Sequence, residues 1–400
     1  MQQTILVVGT GFSGMWSALS AARLLDIHGK TNIDVVVLSP QPELRIRPRF
    51  YEPQVNTMMA PLDELFSAVG VKFIKGVAQQ IDRDARQVNY VDEAGEVKSQ
   101  AYDRLILATG SKVARPNLPG IEHAFDVDEI EHASALQAHI KSLAERPATP
   151  ARNTVVIAGG GFTGIETAAE LPAMLREALG NDTPVNVVVV DRGNEIGGAM
   201  GDGPRHLIAE ASAELGVEWR LNNSVAAIDA DGVTLTDGQR IEANTVVWTA
   251  GVKASSLTAQ IPAEQDRNGR LHVERDLQVI GHNEIFATGD VAYAPVDEVG
   301  NYALMTCQHA ISLGRHAGNN AAASLLGIAP VTYSQPKYVT CLDLGAWGAV
   351  YTEGWEREVK LVKDEAKSLK KTINSEWIYP PVANRAEALA AADPLIPVVA

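Results

Sequence analysis

Apolar runs that end in small residues recur along the chain and predict buried parallel strands. The first run covers Thr4–Val8 and stops at Gly9. It is followed by apolar residues at helical spacing, namely Phe12, Met15, Trp16 and Leu19. Comparable runs lie within 33–39, 102–110, 154–158, 185–191, 245–251 and 284–290. Strands of this kind, alternating with amphipathic helices, predict an α/β fold with parallel sheets.

Other stretches depart from this alternation of strand and helix. Residues 71–100 alternate in polarity around a turn at 92–95, which predicts a small antiparallel ribbon. An amphipathic helix is predicted at 128–145. Near the end of the chain, apolar residues at spacings of four and three predict one seam on a lysine-rich helix: Trp355, Val359, Val362, Ala366, Leu369 and Ile373. This helix is expected either to lie on an anionic membrane surface or to pack on the protein, and its narrow seam favours packing.

The turn after the first strand has the glycine spacing of a dinucleotide-binding motif. Gly9 permits the tight turn, Gly11 leaves room for a pyrophosphate, and Gly14 lets the helix pack closely on the strand. The pyrophosphate would lie at the helix N-terminus, where free N–H groups and the helix dipole favour an anion.

The same motif returns at Gly159, Gly161 and Gly164. Each copy is followed by a strand with a small-residue ending, at 108–110 and 249–251, which indicates a duplicated nucleotide-binding unit. A third such strand ends at 288–290 and is expected to return to the first unit. We therefore predict two Rossmann-like domains, the second inserted in the first, and an α+β tail. The predicted boundaries are 1–118 with 270–330, 119–269, and a C-terminal interface region at 331–400.

Composition and charge narrow the possible functions. The 400 residues are 46% hydrophobic and 21% charged, as in ordinary globular proteins, and the net charge of −15 argues against a nucleic acid partner. No apolar run has the length of a membrane span, so a cytoplasmic location is expected. Cys307 and Cys341 are expected to be buried, reduced thiols, and no metal-ligand spacing is present.

The second strand of each unit ends in a residue that can contact a ribose. The first offers Ser39, whereas the second offers Asp191, whose charge favours NADH over NADPH. Arginine then alternates with apolar residues, which places Arg45, Arg47 and Arg49 on one side of an extended segment. These side chains are expected either to pair with local carboxylates or to contact a cofactor phosphate or an anionic acceptor.

With these motifs the chain resembles the two-dinucleotide-binding flavoproteins of glutathione-reductase-like fold, and among them the type II NADH dehydrogenases. The matching segments are Ser39-Pro40 with Pro48, and residues 159–171, 246–255 and 277–290. The resemblance implies that the first unit holds FAD and the second holds NADH. The FAD contacts that it implies by motif are Gly9, Gly11, Ser13, Gly14, Ala108, Thr109, Gly110, Asp290 and Gln308. Further candidate cofactor contacts are Phe12, Ser39, Pro40, Arg47, Val77, Gly159, Gly161, Phe162, Thr163, Gly164, Asp191, Gly251, Gly289 and His309.

The resemblance also implies two catalytic residues, Glu166 and Gln308. The family's glutamate that matches Glu166 faces the contact between nicotinamide and flavin, so Glu166 is expected to position the nicotinamide or relay a proton. The alternative is a carboxylate in the first helical turn that only complements the helix dipole. Gln308 is expected near the flavin ring, on a helix whose N-terminal N–H groups, from Thr306 onward, face the flavin. Hydride from NADH would pass to FAD, and electrons would then pass to an acceptor.

Departures from the family leave the acceptor open. The family's quinone-side signature has two glutamines, and this chain keeps Gln308 but has Ser312 at the second position. The arginine-rich run replaces aromatic and apolar residues, and the family's C-terminal membrane-anchoring region is not clearly matched. The Cys-x-x-x-x-Cys of disulfide-reducing relatives is absent, while Cys307 leaves a sulfide-oxidising relative as an alternative.

The candidate acceptors are therefore a quinone or a small iron–sulfur protein. A further alternative is a flavoprotein that is switched by reduction and acts through partner binding. A homodimer and peripheral contact with a membrane are compatible with each of these functions.

Overall fold

The computed structural model describes residues 2–398 and has the expected α/β fold. The first strands are β1 (Gln3–Val8), β2 (Ile33–Ser39), β3 (Glu43–Arg45), β4 (Met59–Pro61), β5 (Lys72–Asp82), β6 (Gln87–Asp92), β7 (Val97–Ala101), β8 (Arg104–Leu107) and β9 (Ser111–Val113). The helices among them are α1 (Phe12–Ile27) and α2 (Asp63–Val69).

The middle of the chain begins with helix α3 (Ile130–Ser142). Its strands are β10 (Thr154–Ala158), β11 (Asn186–Val190), β12 (Val217–Arg220), β13 (Val225–Asp229), β14 (Gly232–Leu235), β15 (Arg240–Glu242), β16 (Thr245–Trp248) and β17 (Val252–Ala254). Helices α4 (Phe162–Leu179) and α5 (Asp202–Leu215) lie between them.

The remaining elements follow the second nucleotide unit. They are β18 (Leu271–His272), β19 (Gln278–Val279), β20 (His282–Ala287), β21 (Ala292–Tyr293), α6 (Cys307–Leu326), β22 (Val339–Asp343), β23 (Ala349–Glu353), β24 (Glu358–Val362), α7 (Lys363–Thr372) and α8 (Arg385–Ala391).

An eight-stranded sheet forms the core of the first unit, in the order β19-β20-β8-β1-β2-β5-β6-β7. Strands β20, β8, β1, β2 and the start of β5 are parallel, and β5 then continues into the predicted antiparallel ribbon with β6 and β7. Because β20 follows the middle of the chain and pairs with β8, the second unit is an insertion in the first, as predicted. The register aligns Val8, Leu38, Leu107 and Ala287, so the residues after these strands meet at one sheet edge.

The inserted unit has a parallel four-stranded sheet in the order β12-β11-β10-β16. The chain between β12 and β16 forms an antiparallel sheet of β13, β14 and β15. The two chain segments that join the units, β9 and β17, pair antiparallel, with Val113 opposite Val252. β9 comes three residues after the end of β8, and β17 comes three residues after the end of β16. The ribbon therefore joins the carboxyl ends of one parallel strand from each unit.

Helix α6 packs closely on α1 because two glycines face two serines. A Cβ added at Gly314 would lie 2.4 Å from the Ser13 carbonyl oxygen, and one at Gly318 would lie 2.0 Å from that of Ser17. The Ser17 hydroxyl donates to the carbonyl oxygens of Ser13 and Gly314. This close approach fixes the N-terminus of α6 relative to the first glycine turn.

The tail is an α+β layer, but the long helix predicted from Trp355 is wrong. Val359 and Val362 lie in strand β24, which pairs with β23. Within the predicted segment the helix begins only at Lys363, with α7, and continues into a π-helical turn at Ile373–Trp377. Residues 358–361 alternate in polarity, and this strand period competes with the helical spacing of Val359 and Val362. Ala366 is fully buried on α7, so the helix packs one face against the protein as favoured.

Candidate active site

The two glycine turns have the same geometry. Gly9 and Gly159 have φ of +111° and +118°, a region that L side chains rarely adopt. A Cβ at Gly14 would lie 2.1 Å from the Gly9 carbonyl oxygen, which explains the close packing of α1 on the turn. The equivalent distance at Gly164 is 2.0 Å from the Gly159 oxygen. The first and third glycines of each motif are therefore required by the fold itself.

The middle glycine of each motif is different, because open space faces it. No described atom lies within 4 Å of a Cβ built at Gly11 or at Gly161. Both residues are the N-caps of their helices, neither helix has a side-chain cap, and neither has an acidic residue in its first turn. Open space beside uncapped N–H groups is the arrangement that a pyrophosphate needs. Both turns therefore fit a dinucleotide, and Phe12, Ser13, Phe162 and Thr163 lie in the same first turns.

Two threonine hydroxyls at the edge of the first sheet also fit a bound cofactor. Thr109 and Thr288 follow β8 and β20, and in the described residues neither buried Oγ1 atom has a hydrogen-bond partner. In the inserted unit the corresponding Thr249 hydroxyl donates to the Gly159 carbonyl oxygen at 3.0 Å. Buried hydroxyls normally find a partner. The unsatisfied pair therefore indicates a ligand beside Ala108, Gly110 and Gly289 in the first unit.

Asp290 lies at this edge and is held by neighbouring polar groups. The Ser111 hydroxyl donates to its carboxylate at 2.6 Å, and the Arg47 guanidinium lies 3.6 Å away. Arg47 also donates to Ser111 and forms an ion pair with Asp128. Arg47 therefore lies beside a predicted cofactor contact, while its own charge is paired.

The predicted extended run of arginines is wrong beyond Arg45. The chain leaves β3 and forms a single 3₁₀ turn over Arg47–Arg49, which contains Pro48 and directs the three side chains apart. Arg45 pairs with Glu43, Glu129 and Glu131, and Arg49 pairs with Glu52. All three arginines therefore pair with carboxylates, as one of the two alternatives predicted, and half of the six partners come from an acidic segment at 126–131 that precedes and begins α3.

The remaining first-unit candidates lie along the end of β2 and the ribbon. The buried Ser39 hydroxyl hydrogen-bonds with the Thr10 hydroxyl at 2.9 Å, and Pro40 is exposed beside it. Val77 lies on β5 and is 47% exposed. An open groove of about 440 Å³ begins at Gln41. Its lining includes Glu43 and Arg45 but none of Ser39, Pro40 and Val77.

Asp191 follows β11 and is bound by backbone groups on both sides. One carboxylate oxygen accepts from the Gly160 N–H and the other from the Gly193 N–H, each at 2.7 Å. Each carboxylate oxygen has a second lone pair, so Asp191 can still accept from a ribose. Its position is fixed to the second glycine turn, which follows β10. Gly251, with φ of +80°, follows β16 on the other side of β10.

The N-terminus of α6 brings Gln308 and His309 to the tail layer. Thr306 caps the helix, and its hydroxyl lies 2.8 Å from Nδ1 of His309. Burial lowers the pKa of His309 to about 4, so its ring is neutral and stacks on Tyr338. The Gln308 side chain donates to the Val339 carbonyl oxygen at 2.7 Å and accepts from the Val339 N–H. Gln308 thus joins strand β22 to the N-terminus of α6 by two hydrogen bonds.

Glu166 is fully enclosed, which neither of its two predicted roles anticipated. It lies beyond the first turn of α4, where it accepts from Lys370 at 2.7 Å and from the Asp343 N–H at 3.0 Å. The dipole-only role is therefore wrong. Burial raises the pKa of Glu166 to about 7, against the opposing effect of the Lys370 ammonium. Burial lowers the pKa of Lys370, whereas the nearby Glu166 carboxylate raises it. The net shift of the Lys370 pKa is upward.

Comparison with known proteins identifies the family. The profile described as pyridine nucleotide-disulphide oxidoreductase matches residues 3–314. The chain belongs to this family. It is 45% identical over 399 residues to an NADH dehydrogenase-like protein of Mycobacterium tuberculosis, with 98% of each chain covered. It is 31% identical to the demethylphylloquinone reductase of a Synechocystis strain, covering 86% of this chain and 85% of the relative. The structure of NDH2 from Plasmodium falciparum in complex with NADH shares the fold, with a TM-score of 0.79, 14% identity and 98% coverage of both chains.

As a member of this pyridine nucleotide-disulphide oxidoreductase family, the protein is an oxidoreductase that uses FAD and NADH and passes electrons to an acceptor. Across residues 2–398 no cluster of His, Cys, Asp or Glu could hold a metal ion. Within the same range no helix is both long enough and apolar enough to cross a membrane. The thiols of Cys307 and Cys341 are free, and Cys307 is only half-buried.

Sequence reasoning missed Lys370 and Asp343 as members of this site. Both come from the tail, more than 170 positions after Glu166 in the chain. Lys370 was visible only as one lysine of a basic helix. Its place on the buried face, one turn after Ala366, was the single signal that could have separated it from its solvent-exposed neighbours.

Proposed function

We propose that the protein is an NADH:quinone oxidoreductase whose acceptor site lies where the tail layer meets the N-terminus of α6. The observation that carries the proposal is the buried Glu166–Lys370 pair, which places a carboxyl with a pKa of about 7 at this junction. The printed function of the Synechocystis relative, a quinone reductase, supports the same acceptor class.

The net reaction of such an enzyme converts NADH, one proton and a quinone into NAD⁺ and a quinol. A bound FAD would supply the two-electron chemistry that links NADH oxidation to reduction of the acceptor. The proton must come from solvent, and an enclosed site needs a group that is partly protonated near neutral pH to supply it. We propose that Glu166 is this group and that Lys370 stabilises its ionised form.

The other candidate residues have binding and positioning roles in this proposal. The uncapped N-termini of α1 and α4 hold the two pyrophosphates, and Asp191 accepts from the ribose of NADH. Asp290 and the hydroxyls of Thr109 and Thr288 contact FAD. Gln308 positions the tail strand at the start of α6. In terms of domains, we propose that FAD binds residues 1–118 with 270–330, that NADH binds 119–269, and that 331–400 covers the acceptor side.

A small iron–sulfur protein is less well supported as the acceptor. That alternative depended on Arg45, Arg47 and Arg49 as a docking surface, and each of these side chains is paired with a carboxylate. A flavoprotein that acts only through partner binding would consume NADH slowly with every acceptor. Turnover above about 1 per second would distinguish an enzyme from such a switch.

The direct test is steady-state NADH oxidation by the purified FAD-loaded protein with a panel of acceptors. The panel contains short-chain benzoquinones and naphthoquinones, oxygen, free flavin and a ferredoxin. We expect the highest kcat/KM with a quinone. Faster turnover with the ferredoxin would overturn the proposed acceptor, and slow turnover with every acceptor would favour the redox switch.

A further inference from the structure

One face of helix α1 lies under the C-terminal segment of the chain. Trp16, Ser20 and Arg23 follow one another at spacings of four and three, so they share this face. Arg23 forms an ion pair with Asp393. At the other end of the face, the Arg315 guanidinium of α6 lies over the Trp16 ring, with its Cζ atom 4.1 Å from the ring centroid.

The Arg315 side chain also contacts the C-terminal segment. Its Nη1 atom donates to the Ile396 carbonyl oxygen at 3.3 Å. The two ends of the face on α1 are thus covered by the same short segment, residues 393–396. The side chains of Trp16, Ser20 and Arg315 beneath this segment are called the seam below.

Three hydrogen-bond donors of the seam have no partner. Among the described residues nothing accepts from Nε1 of Trp16, the Ser20 hydroxyl or Nε of Arg315. The three residues are 5%, 0% and 8% exposed, so bulk water does not reach these atoms. Nearly all buried polar groups in proteins are hydrogen-bonded. Three unpartnered donors in one place therefore indicate a site for a bound acceptor.

The seam also buries a positive charge. In the part of the chain that the structure describes, Arg315 forms no ion pair, and the Asp393 carboxylate is bound to Arg23. Burial lowers the pKa of Arg315 to about 10, so its guanidinium is still charged at pH 7. Burial also lowers the pKa of the adjacent His316, which is therefore neutral. A buried charge is costly unless an opposite charge lies beside it, and here one positive charge is uncompensated.

The chemistry of the donors distinguishes an anion from water. Indole and guanidinium N–H groups can only donate, and a water molecule would leave the Arg315 charge uncompensated. An anion accepts from every donor of the seam and supplies the opposite charge. The ion has to be small, because α1 and α6 pack so closely that a Cβ at Gly314 would lie 2.4 Å from the Ser13 carbonyl oxygen. One uncompensated charge indicates a monovalent ion.

We propose that Trp16, Ser20 and Arg315 form a binding site for one small monovalent anion of the size of chloride, which holds the C-terminal segment on α1 and α6. The anion accepts from the indole N–H, the hydroxyl and the guanidinium. The site is independent of the electron acceptor, because none of its groups takes part in the reaction. Its occupancy links the stability of the FAD-binding unit to the anion concentration.

The first measurement is thermal unfolding of the FAD-loaded full-length protein at constant ionic strength. Sodium chloride or sodium bromide replaces sodium gluconate, whose anion is too large for the seam. A ligand that binds only the folded protein raises the Tm once its concentration exceeds the Kd. We expect the Tm to rise with chloride and with bromide. A Tm that does not change on this replacement would overturn the proposal.

Two pairs of variants separate the seam from a general salt effect. Trp16→Phe removes the indole N–H and keeps an aromatic ring beneath Arg315, and Trp377→Phe makes the same change at an indole that is 62% exposed. Arg315→Gln removes the buried charge, and Arg385→Gln removes an exposed charge that pairs with α1 at Asp26.

Loss of one hydrogen bond to a charged acceptor weakens binding by about tenfold to a hundredfold. The chloride concentration at which the Tm begins to rise should increase by this factor in Trp16→Phe, and the chloride effect should vanish in Arg315→Gln. Both control variants should respond to chloride like the wild type. A wild-type response in Trp16→Phe, or an equal change in Trp16→Phe and Trp377→Phe, would refute the site.

The second measurement identifies the bound species. Bromide scatters X-rays anomalously, so crystals of the FAD-loaded protein prepared in bromide should show one anomalous peak within hydrogen-bonding distance of Nε1 of Trp16 and the Arg315 guanidinium. The peak should be weaker or absent in crystals of Trp16→Phe. Water or a carboxylate of the chain itself at this position, or bromide at surface positions only, would overturn the proposal.

Discussion

The middle glycine of each nucleotide motif offers a sharp test of cofactor assignment. A valine at Gly11 would meet open space, because no described atom lies within 4 Å of its Cβ. Its backbone φ of −60° and ψ of −178° is an extended conformation that valine adopts readily. Gly11→Val should therefore leave the fold intact while its side chain occupies the space in which we place the FAD pyrophosphate.

The size of the effect follows from the contacts that would be lost. A hydrogen bond from a helix N-terminal N–H to a charged phosphate contributes about 1.5–3 kcal/mol. Loss of two such bonds costs about 3–6 kcal/mol, which weakens FAD binding by about 10²–10⁴-fold. The purified variant should therefore lose its yellow colour on desalting, whereas the wild type retains about one FAD per chain.

The inserted unit provides the matched control. Gly161 has the same surroundings and an extended backbone, with φ of −79° and ψ of −173°. Gly161→Val should keep FAD and lose NADH, whereas Gly11→Val should lose FAD. Flavin absorbance measures the first property and NADH titration of the FAD-loaded protein measures the second. If folded Gly11→Val retains full FAD, or if Gly161→Val loses it, the assignment of the two units is wrong.

Three further predictions test the remaining site. Asp191→Ala should increase the use of NADPH, because a carboxylate about 5 Å from a 2′-phosphate opposes each charge by about 3 kcal/mol at an effective dielectric near 20; the ratio of kcat/KM values for NADH and NADPH measures this. Glu166→Gln should slow the reoxidation of reduced flavin by a quinone without loss of FAD, because the proposed proton donor is absent, and an unchanged reoxidation rate would leave this carboxylate a structural role. Burial raises the pKa of Glu166 from 4.5 to about 7, so the stability due to its neutral form is complete below pH 4.5 and is lost as the pH rises through 7. The apparent Tm should therefore fall by more in the wild type than in Glu166→Gln over this range. Removal of residues 355–400 should lower the apparent Tm, and the intact protein should stay in the supernatant with anionic vesicles; pelleting that disappears on truncation, with the core still folded, would establish membrane attachment.

The parts of the fold that the sequence predicted are those fixed by local constraints. A buried parallel strand must be apolar over its whole length, and a tight turn with positive φ requires glycine, so β1, β10 and the turns at Gly9 and Gly159 leave strong signals. The insertion was predictable for the same reason, since the strand before Gly289 repeats the ending of the strand before Gly110.

The parts that the sequence did not predict depend on partners distant in the chain. Arg45 and Arg47 are satisfied by Glu131 and Asp128, more than 80 positions away, and no local pattern identifies such partners. The start of the predicted tail helix was wrong because residues 358–361 fit a strand period while Val359 and Val362 also fit a helical spacing. Pairing with β23 decided between them, and that pairing is a tertiary contact.

Several basic side chains of the tail form ion pairs with carboxylates of the protein. Six basic and three acidic residues lie in 357–371, a composition that favoured contact with an anionic surface as one alternative. Lys360, Lys363, Lys367 and Lys370 each meet a carboxylate, and three of those carboxylates belong to other segments of the chain. Lys367 and Lys370 are the more buried of these lysines, and their carboxylate partners lie on α4 and β22. Their charge is therefore explained by the docking of α7 on α4 and β22, whereas Lys360 and Lys363 form exposed pairs that contribute little to stability.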